Sequence, residues 1–144
     1  MTATTDQSTE TRADVCAPSS LEFAALPGIG ADLAGGLFAG ITTTAEGSHC
    51  AVVRLPGQAD EVTHLEATEW AAAQGGVLPS RPVAALLYMH LKGGLKPDWH
   101  WTSEAAEFDA SCAWGCHFDY GSQYYYRKGA KACAVAVRLI PLTA

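Results

Sequence analysis

The chain has few charged residues and no cluster of basic ones. Charged side chains make up 17% of the 144 residues, and 15 acidic against 9 basic residues give a formal charge of −6. Globular proteins carry roughly a quarter of charged residues, so this surface is sparsely charged. Because no Lys/Arg run could neutralise several phosphates, the composition argues against nucleic-acid binding. The 49% of apolar residues is typical of a globular protein and not of a disordered one.

Long apolar runs and a secretion signal are also lacking. The longest nearly uncharged apolar stretch, residues 23–41, contains Pro27, Asp32 and five glycines, which disfavours a membrane span. Residues 1–7 have neither a basic nor an apolar region of the kind that signal peptides need. We therefore expect no signal peptide, no membrane association, and folding in the cytoplasm.

The motifs of common enzyme classes are missing as well. The chain has no P-loop, no G-x-G-x-x-G and no G-x-S-x-G. An odd number of cysteines in a chain without a signal peptide predicts reduced thiols; they are Cys16, Cys50, Cys112, Cys116 and Cys133. The C-x₃-C-H spacing that ends at His117 fits zinc ligands poorly. Adjacent Cys and His in a strand point to opposite faces, so they do not form a nucleophile–base pair. We predict no catalytic residue, no metal site and no cofactor.

Hydrophobic patterning predicts an α+β fold with an N-terminal extended arm. Residues 1–20 are rich in Thr, Ser and Ala and show no periodicity. Such a segment cannot by itself bury enough surface to offset its ordering entropy, so we expect a neighbouring subunit or partner to order it. Residues 21–144 are predicted to form a single domain, in which two helices pack on a small, mostly antiparallel sheet.

Local signals place the elements of this domain. Two apolar runs, 37–44 and 49–55, flank a turn and predict a β-hairpin. A helix is predicted over 61–74, and a second one begins after Ser80, a good N-cap residue. The rest is predicted as an extended segment at 99–101, a loop over 103–110, and strands over 111–118, 123–128 and 132–140.

Aromatic residues concentrate in the last third, where three Trp and four Tyr lie between residues 99 and 138. In a strand, Tyr124 and Tyr126 share one face and Tyr125 lies on the other. Exposed Tyr and Trp are typical anchors of binding surfaces, although Tyr also suits β-structure for packing alone. Trp101 and Trp114 are expected in the core. The predicted contact surface comprises Trp99, His100, His117, Asp119, Tyr120, Gln123, Tyr124, Tyr126 and Lys128.

Several short motifs, taken in order, resemble a known family. They are EWAAAQGGVLPSR at 69–81, WTSE at 101–104, AW at 113–114, F-x-x-G-x-Q-Y at 118–124 and AVAVR at 134–138. Over about residues 35–141 this order resembles the DUF1566 domain, also called the Lcl C-terminal-like domain, which is common in bacteriophages, prophages and bacterial surface proteins. The resemblance implies a C-type-lectin-like fold whose last strands present a variable ligand face. The acidic-Asn calcium motifs and the paired disulfide cysteines of animal lectins have no counterpart here, which argues against a calcium-dependent sugar site.

Together these observations favour a non-enzymatic phage or prophage binding module. We expect it to recognise a protein or glycan through the aromatic surface and to be virion-associated, as a decoration or receptor-binding protein in an oligomer or larger assembly. The expected partners are a neighbouring virion subunit, a host protein or a glycan, and the expected location is the virion or the host cytoplasm. Two alternatives stay open. One is an intracellular phage inhibitor of a host defence complex, which the acidic charge would suit, and the other is a cysteine- or metal-dependent enzyme.

Overall fold

The computed structural model describes residues 18–144 of the chain. The arm predicted for residues 1–20 therefore lies almost entirely outside the described residues, and so does Cys16. The described part is α+β, with two helices and two five-stranded sheets. The predicted α+β class and both predicted helices are confirmed. The prediction of a single small sheet is wrong, because the strands divide between two mixed sheets.

Ten strands and two helices make up the described chain. The helices are α1 (His64–Ala73) and α2 (Arg81–Leu91), and a short 3₁₀ helix covers Phe23–Ala25. The strands are β1 (Leu21–Glu22), β2 (Asp32–Leu33), β3 (Gly36–Thr43), β4 (His49–Arg54), β5 (Ala59–Val62), β6 (Trp99–Ala106), β7 (Asp109–His117), β8 (Gln123–Arg127), β9 (Ala132–Ala134) and β10 (Val137–Thr143). Neither helix of the described residues is long and apolar enough to cross a membrane.

The first sheet has the strand order β1-β10-β4-β3-β2 and contains the predicted hairpin. The β3 and β4 strands pair antiparallel from Leu37 opposite Arg54 to Thr43 opposite His49. The β1 strand pairs parallel with the end of β10, which makes this sheet mixed. The strand pairing confirms the predicted hairpin. The hairpin could be predicted because its signals, two apolar runs and the turn between them, are local.

The second sheet has the order β5-β9-β6-β7-β8 and carries most of the aromatic residues. Its β6 and β7 strands form a hairpin that turns at residues 107–108, so the loop predicted over 103–110 is wrong. The polar residues Ser103 and Glu104 suggested a loop. They belong to β6, where Ser103 is exposed and Glu104 half-buried, since one face of this strand meets solvent.

The chain passes from the second sheet to the first near its end. The strand predicted over 132–140 is in fact β9 and β10, joined by the fully buried Val135 and Ala136. Val77 bridges the start of β10 through two hydrogen bonds with Val137, of 2.9 and 2.8 Å. An unbroken apolar run does not reveal a change of sheet, because both parts are buried and both are extended.

The helices begin at residues that cap them. Thr63 and Glu66 form a capping box at α1, in which the Thr63 N–H donates to Glu66 Oε1 at 2.9 Å and the Glu66 N–H donates to Thr63 Oγ1 at 3.2 Å. The helix predicted from residue 61 thus starts later, because residues 59–62 form β5. Ser80 caps α2 by accepting a hydrogen bond from the Val83 N–H at 3.4 Å, as predicted.

The core lies on both faces of the second sheet. On one face Ala67 and Ala71 of α1 belong to a buried cluster with Trp101, Ala113 and Ala134. A second buried cluster brings α2 against the other face; it contains Val83, Leu87, Cys116, Phe118 and Val135. Each helix covers only part of its face, so the ends of β6, β7 and β8 stay in contact with solvent.

Candidate binding surface

One face of the second sheet presents a continuous set of aromatic side chains. Strand pairing places Trp99 opposite His117, Gly115 opposite Tyr124, and Ala113 opposite Tyr126. Side chains of directly paired residues share a face of a sheet. We define the aromatic face as Trp99, His117, Tyr120, Tyr124 and Tyr126. The three tyrosines are 73%, 52% and 39% exposed, whereas Trp99 and His117 are half-buried between them.

The rings of the aromatic face contact one another in an unbroken series. Tyr120 stacks on His117 with 4.9 Å between ring centres, and His117 meets Trp99 edge to face at 5.1 Å. Trp99 meets Tyr126 at 5.1 Å, and Tyr126 meets Tyr124 at 5.8 Å. These separations fall in the favourable range for aromatic pairs. Ring contacts therefore restrict the rotamers before a partner binds, which lowers the entropy lost on binding.

A groove opens between Trp99 and Tyr126. It has a volume of about 110 Å³, and Gly115, Lys131 and Ala132 also line it. A Cβ atom at Gly115 would lie 3.2 Å from the carbonyl oxygen of His100 and 3.5 Å from the Trp99 ring. The groove exists because Gly115 has no side chain. Sites for drug-sized ligands measure roughly 300–1,000 Å³, so this groove suits a single side chain.

Trp101 and the turn after β8 line the groove as well, and α1 packs behind Trp101. Trp101 is buried there and donates its indole N–H to the Val62 carbonyl at 3.0 Å, and the His64 ring meets its ring edge to face at 5.2 Å. Burial lowers the pKa of His64. Lys128, a predicted contact residue, is half-buried in the turn. Its carbonyl accepts the His64 N–H at 2.9 Å, so its backbone fixes the turn to α1.

His100 does not belong to the aromatic face, and its predicted exposure is wrong. It is 1% exposed, because strand alternation directs it away from Trp99. Its ring packs against Phe118 at 4.5 Å between centres, and its nitrogens lie 3.0 Å from the Asp98 carbonyl and 3.1 Å from Gln58 Oε1. Burial lowers the pKa of His100 to about 4. The neutral ring has a single N–H, which it donates to one of these two oxygens, and it acts as a packed core residue.

Gln123 and Trp114 lie on the opposite face of the sheet. Gln123 bonds Arg81 twice, accepting from Arg81 Nε at 2.8 Å and donating to the Arg81 carbonyl at 2.9 Å. The Arg81 guanidinium lies 3.6 Å from the centre of the Trp114 ring. Trp114, which was expected in the core, is only half-buried. A cation covers its outer side, where the sequence pattern suggested packed apolar residues.

The turn that carries Asp119 and Tyr120 is fixed against α2. The Asp119 N–H donates to His117 Nδ1 at 3.2 Å, and the carboxylate of Asp119 stays exposed. Gly121 adopts a φ of +79°, and a Cβ atom there would lie 2.7 Å from the Tyr88 ring. Only glycine fits this position without strain. The turn thus holds Tyr120 over His117, next to the groove.

One aromatic residue near the surface was missed. Phe108, in the turn between β6 and β7, is 63% exposed and meets Tyr125 at 4.7 Å between ring centres. Tyr125 also stacks on Tyr124 at 4.6 Å, and a hydrogen bond with Tyr124 raises the pKa of Tyr125. Aromatic side chains therefore flank both faces of β8. Phe108 was missed because its segment was predicted as a loop.

The cysteines of the described residues are buried free thiols, at positions 50, 112, 116 and 133. Burial raises the pKa of Cys116, and it raises the pKa of Cys133 to about 12. The Cys133 thiol lies 3.4 Å from Asp60 Oδ1, and Asp60 also pairs with Lys96. A protonated thiol is a weak nucleophile, so neither raised pKa favours nucleophilic chemistry. No group of three His, Cys, Asp or Glu side chains within residues 18–144 is arranged to hold a metal ion.

Two of the larger hollows are lined by side chains that are already bonded. One, of about 520 Å³, lies between residues 32–37 and Arg54, and Arg54 donates to the Leu91 carbonyl at 2.9 Å. The other, of about 710 Å³, is a wide depression beside Arg81, Glu104 and Gln123. Glu104 accepts the Arg81 backbone N–H there at 2.9 Å. Because these polar groups hold the fold together, the aromatic face is a better candidate for binding than either of these two hollows.

Comparison with known proteins assigns no family to the chain. No protein-family model matches the chain, and no curated protein matches it. The resemblance to DUF1566 domains stays a prediction.

Proposed function

We propose that this chain is a non-enzymatic binding module that docks a protein partner on the aromatic face. The observation that carries the proposal is the unbroken ring series around Trp99, with Tyr120, Tyr124 and Tyr126 exposed beside it. Tyr and Trp dominate binding energy because they bury large areas at a small cost in side-chain entropy. Contiguous exposed apolar patches are unusual in soluble proteins that have no partner.

The shape of the surface favours a protein over a glycan. The groove of about 110 Å³ accommodates one side chain, and the three tyrosines around it can form a broader contact area. An anchor side chain in a pocket, surrounded by aromatic contacts, is the usual arrangement of a protein–protein hot spot. A glycan ligand is the outcome that would replace this proposal.

The proposed scaffold is a C-type-lectin-like domain of the DUF1566 kind in a phage or prophage protein. Its support is the order of the motifs between residues 69 and 138, together with an α+β architecture that is compatible with such a domain. In this setting the partner is a neighbouring virion subunit or a host protein. Mass spectrometry of purified phage particles tests the virion assignment, and a chain found only in lysates of infected cells would favour the intracellular inhibitor instead.

The binding proposal is tested by capturing the partner at the groove. A photo-cross-linking amino acid at Tyr126 identifies the protein that touches this position, and that protein is then purified for affinity measurement. We expect Tyr124→Ala with Tyr126→Ala to weaken binding by about 30-fold or more, because hot-spot residues contribute 2 kcal/mol or more. Met89→Ala is the matched control, since Met89 is 70% exposed on α2.

Two outcomes would overturn the proposal. One is an unchanged affinity of a folded double variant for the captured protein. The other is binding on a glycan array that requires the same tyrosines, in the absence of any cross-linked protein. Circular dichroism and thermal unfolding establish that the double variant is folded.

A further inference from the structure

The outer side of β8 is a free sheet edge in the described part of the chain. β8 is the last strand of its sheet, and β7 is its only paired neighbour among residues 18–144. The β7–β8 ladder runs from Cys112 opposite Arg127 to Cys116 opposite Gln123 without a register shift. β8 contains no proline and no bulge, which are two of the devices that protect edge strands from pairing.

The hydrogen bonds at the two ends of the ladder show which backbone groups of β8 point outward. The Lys128 N–H donates to the Ser111 carbonyl at 2.9 Å, and the His117 N–H donates to the Ser122 carbonyl at 2.8 Å. Bonded and non-bonded pairs alternate along an antiparallel ladder. Residues 124 and 126 therefore bond β7, and the N–H and C=O groups of Gln123, Tyr125 and Arg127 point to the free edge.

We propose that β8 pairs antiparallel with β8 of a second copy of this chain, about a twofold axis at Tyr125. In this register Tyr125 faces Tyr125 of the second copy, Gln123 faces its Arg127, and Tyr124 faces its Tyr126. All three outward positions then form bonded pairs, which gives about six hydrogen bonds between the two copies.

Among the three registers that centre the axis on an outward residue of β8, only the one at Tyr125 pairs the strand with itself without a conflict. An axis at Arg127 would place two arginines directly opposite each other, which is destabilising. An axis at Gln123 would bring the strand against residues 119–122, where the chain turns. With the axis at Tyr125 the two Arg127 residues are offset by about four residues along the strands, which at 3.4 Å per residue separates them by about 14 Å. This distance exceeds the screening length of about 8 Å at physiological ionic strength. The Gln123 opposite each Arg127 is uncharged, so no like charges face each other in this register.

The aromatic side chains support this pairing. Directly opposite aromatic residues stabilise antiparallel strands, and the pairing sets Tyr124 against Tyr126 of the other copy on one side of the sheet. The stack between Tyr124 and Tyr125 opens in exchange for these contacts. A twofold axis keeps equivalent faces on the same side, so the two aromatic faces join across a ten-stranded sheet. This inference does not depend on the partner proposed above.

The oligomeric state tests the pairing directly. We expect a dimer in sedimentation velocity at micromolar concentration and a monomer for Tyr125→Pro. Of the backbone N–H groups of β8, proline removes only the outward one of residue 125, so the bonds to β7 stay intact. Because proline also removes the ring that meets Phe108 and Trp114, Tyr125→Ala, which loses the same ring and keeps the N–H, is the control and is expected to stay more dimeric than Tyr125→Pro. Tyr125→Phe, which keeps the N–H and the ring, remains a dimer. A wild-type protein that is monomeric up to about 100 μM overturns the proposal. A Kd of about 100 μM corresponds to a marginal dimer, with a binding free energy near −5.5 kcal/mol.

Disulfide trapping tests the register. Every variant carries Cys16→Ser, because Cys16 lies outside the described residues. At a bonded pair the Cα atoms are about 5.5 Å apart, so Tyr125→Cys forms a covalent dimer on mild oxidation. Tyr124→Cys is the matched control, since its two copies lie about 8 Å apart in this register and do not bridge. Equal cross-linking of the two variants, or none in either, overturns the register.

Discussion

Trp99 and Tyr126 meet edge to face at 5.1 Å although β7 separates their strands. The contact spans the diagonal position of Gly115, which has no side chain to keep the two rings apart. One glycine therefore creates both the ring contact and the groove beside it. The same position supplies the most direct test of the groove.

Gly115→Ala should narrow the groove and weaken binding of the partner captured at Tyr126. Because the new Cβ atom would lie 3.2 Å from the His100 carbonyl oxygen, we also expect a loss of about 1 kcal/mol in the free energy of unfolding. Gly129→Ala is the control, since nothing lies within 4 Å of its added Cβ atom. Urea unfolding and partner affinity are measured for both variants. Equal losses of partner affinity in the two variants would show that the partner does not bind in the groove.

Gly121→Ala should destabilise the protein by about 2 kcal/mol or more, since a positive φ and a clash act together. The added methyl would lie 2.7 Å from the Tyr88 ring, at a φ of +79°. Gly47→Ala measures the cost of the positive φ alone, because its φ is +90° and nothing lies within 4 Å of its added Cβ atom. We expect this control to lower the free energy of unfolding by about 1 kcal/mol. If thermal unfolding gave equal losses for both variants, the packing of the turn against Tyr88 would be refuted.

Arg81→Lys should cost about 1 kcal/mol of stability, although it preserves the charge. Lysine cannot both stack flat on Trp114 at 3.6 Å and donate the in-plane hydrogen bond that Arg81 gives to Gln123. A double-mutant cycle with Trp114→Leu isolates the stacking contribution. Additive losses in the cycle would mean that the guanidinium and the indole do not interact.

Protonation of His100 should destabilise the fold in acid. Its pKa is lowered from 6.5 to about 4 in the folded protein by burial, so the unfolded chain binds more protons between these values. Stability therefore falls as the pH drops from about 6.5 towards 4 and levels off below that value, by a total of about 3 kcal/mol. His100→Gln should flatten this part of the stability profile measured by urea unfolding. An unchanged profile would contradict the assignment to His100.

Cys116 and Cys133 should resist alkylation in the native state. Both thiols are buried with a raised pKa, so little thiolate is available at neutral pH. Iodoacetamide labelling followed by peptide mass spectrometry should show modification only after unfolding. Rapid labelling of either residue in the folded protein would revive the hypothesis of a cysteine-dependent enzyme.

The sequence alone determined those features that local interactions control. The β3–β4 hairpin follows from two apolar runs around a turn, and the start of α2 follows from the hydroxyl of Ser80, which bonds an N–H three residues later. Strand alternation correctly separated Tyr124 and Tyr126 from Tyr125, and applied to Trp99 it would also have separated His100. These patterns act over a few residues, so they are readable without the rest of the chain.

The tertiary structure decided which faces are covered. It divided residues 132–140 between two sheets, placed Arg81 over Trp114, and left the outer side of β8 unpaired in the described residues. Exposure depends on what packs against a residue from distant parts of the chain, and a linear pattern gives no information about that. The sequence by itself shows the aromatic residues of the last third. Their division into core, groove and free edge depends on α1, α2 and the strand order, because solvent is excluded only where elements distant in sequence meet.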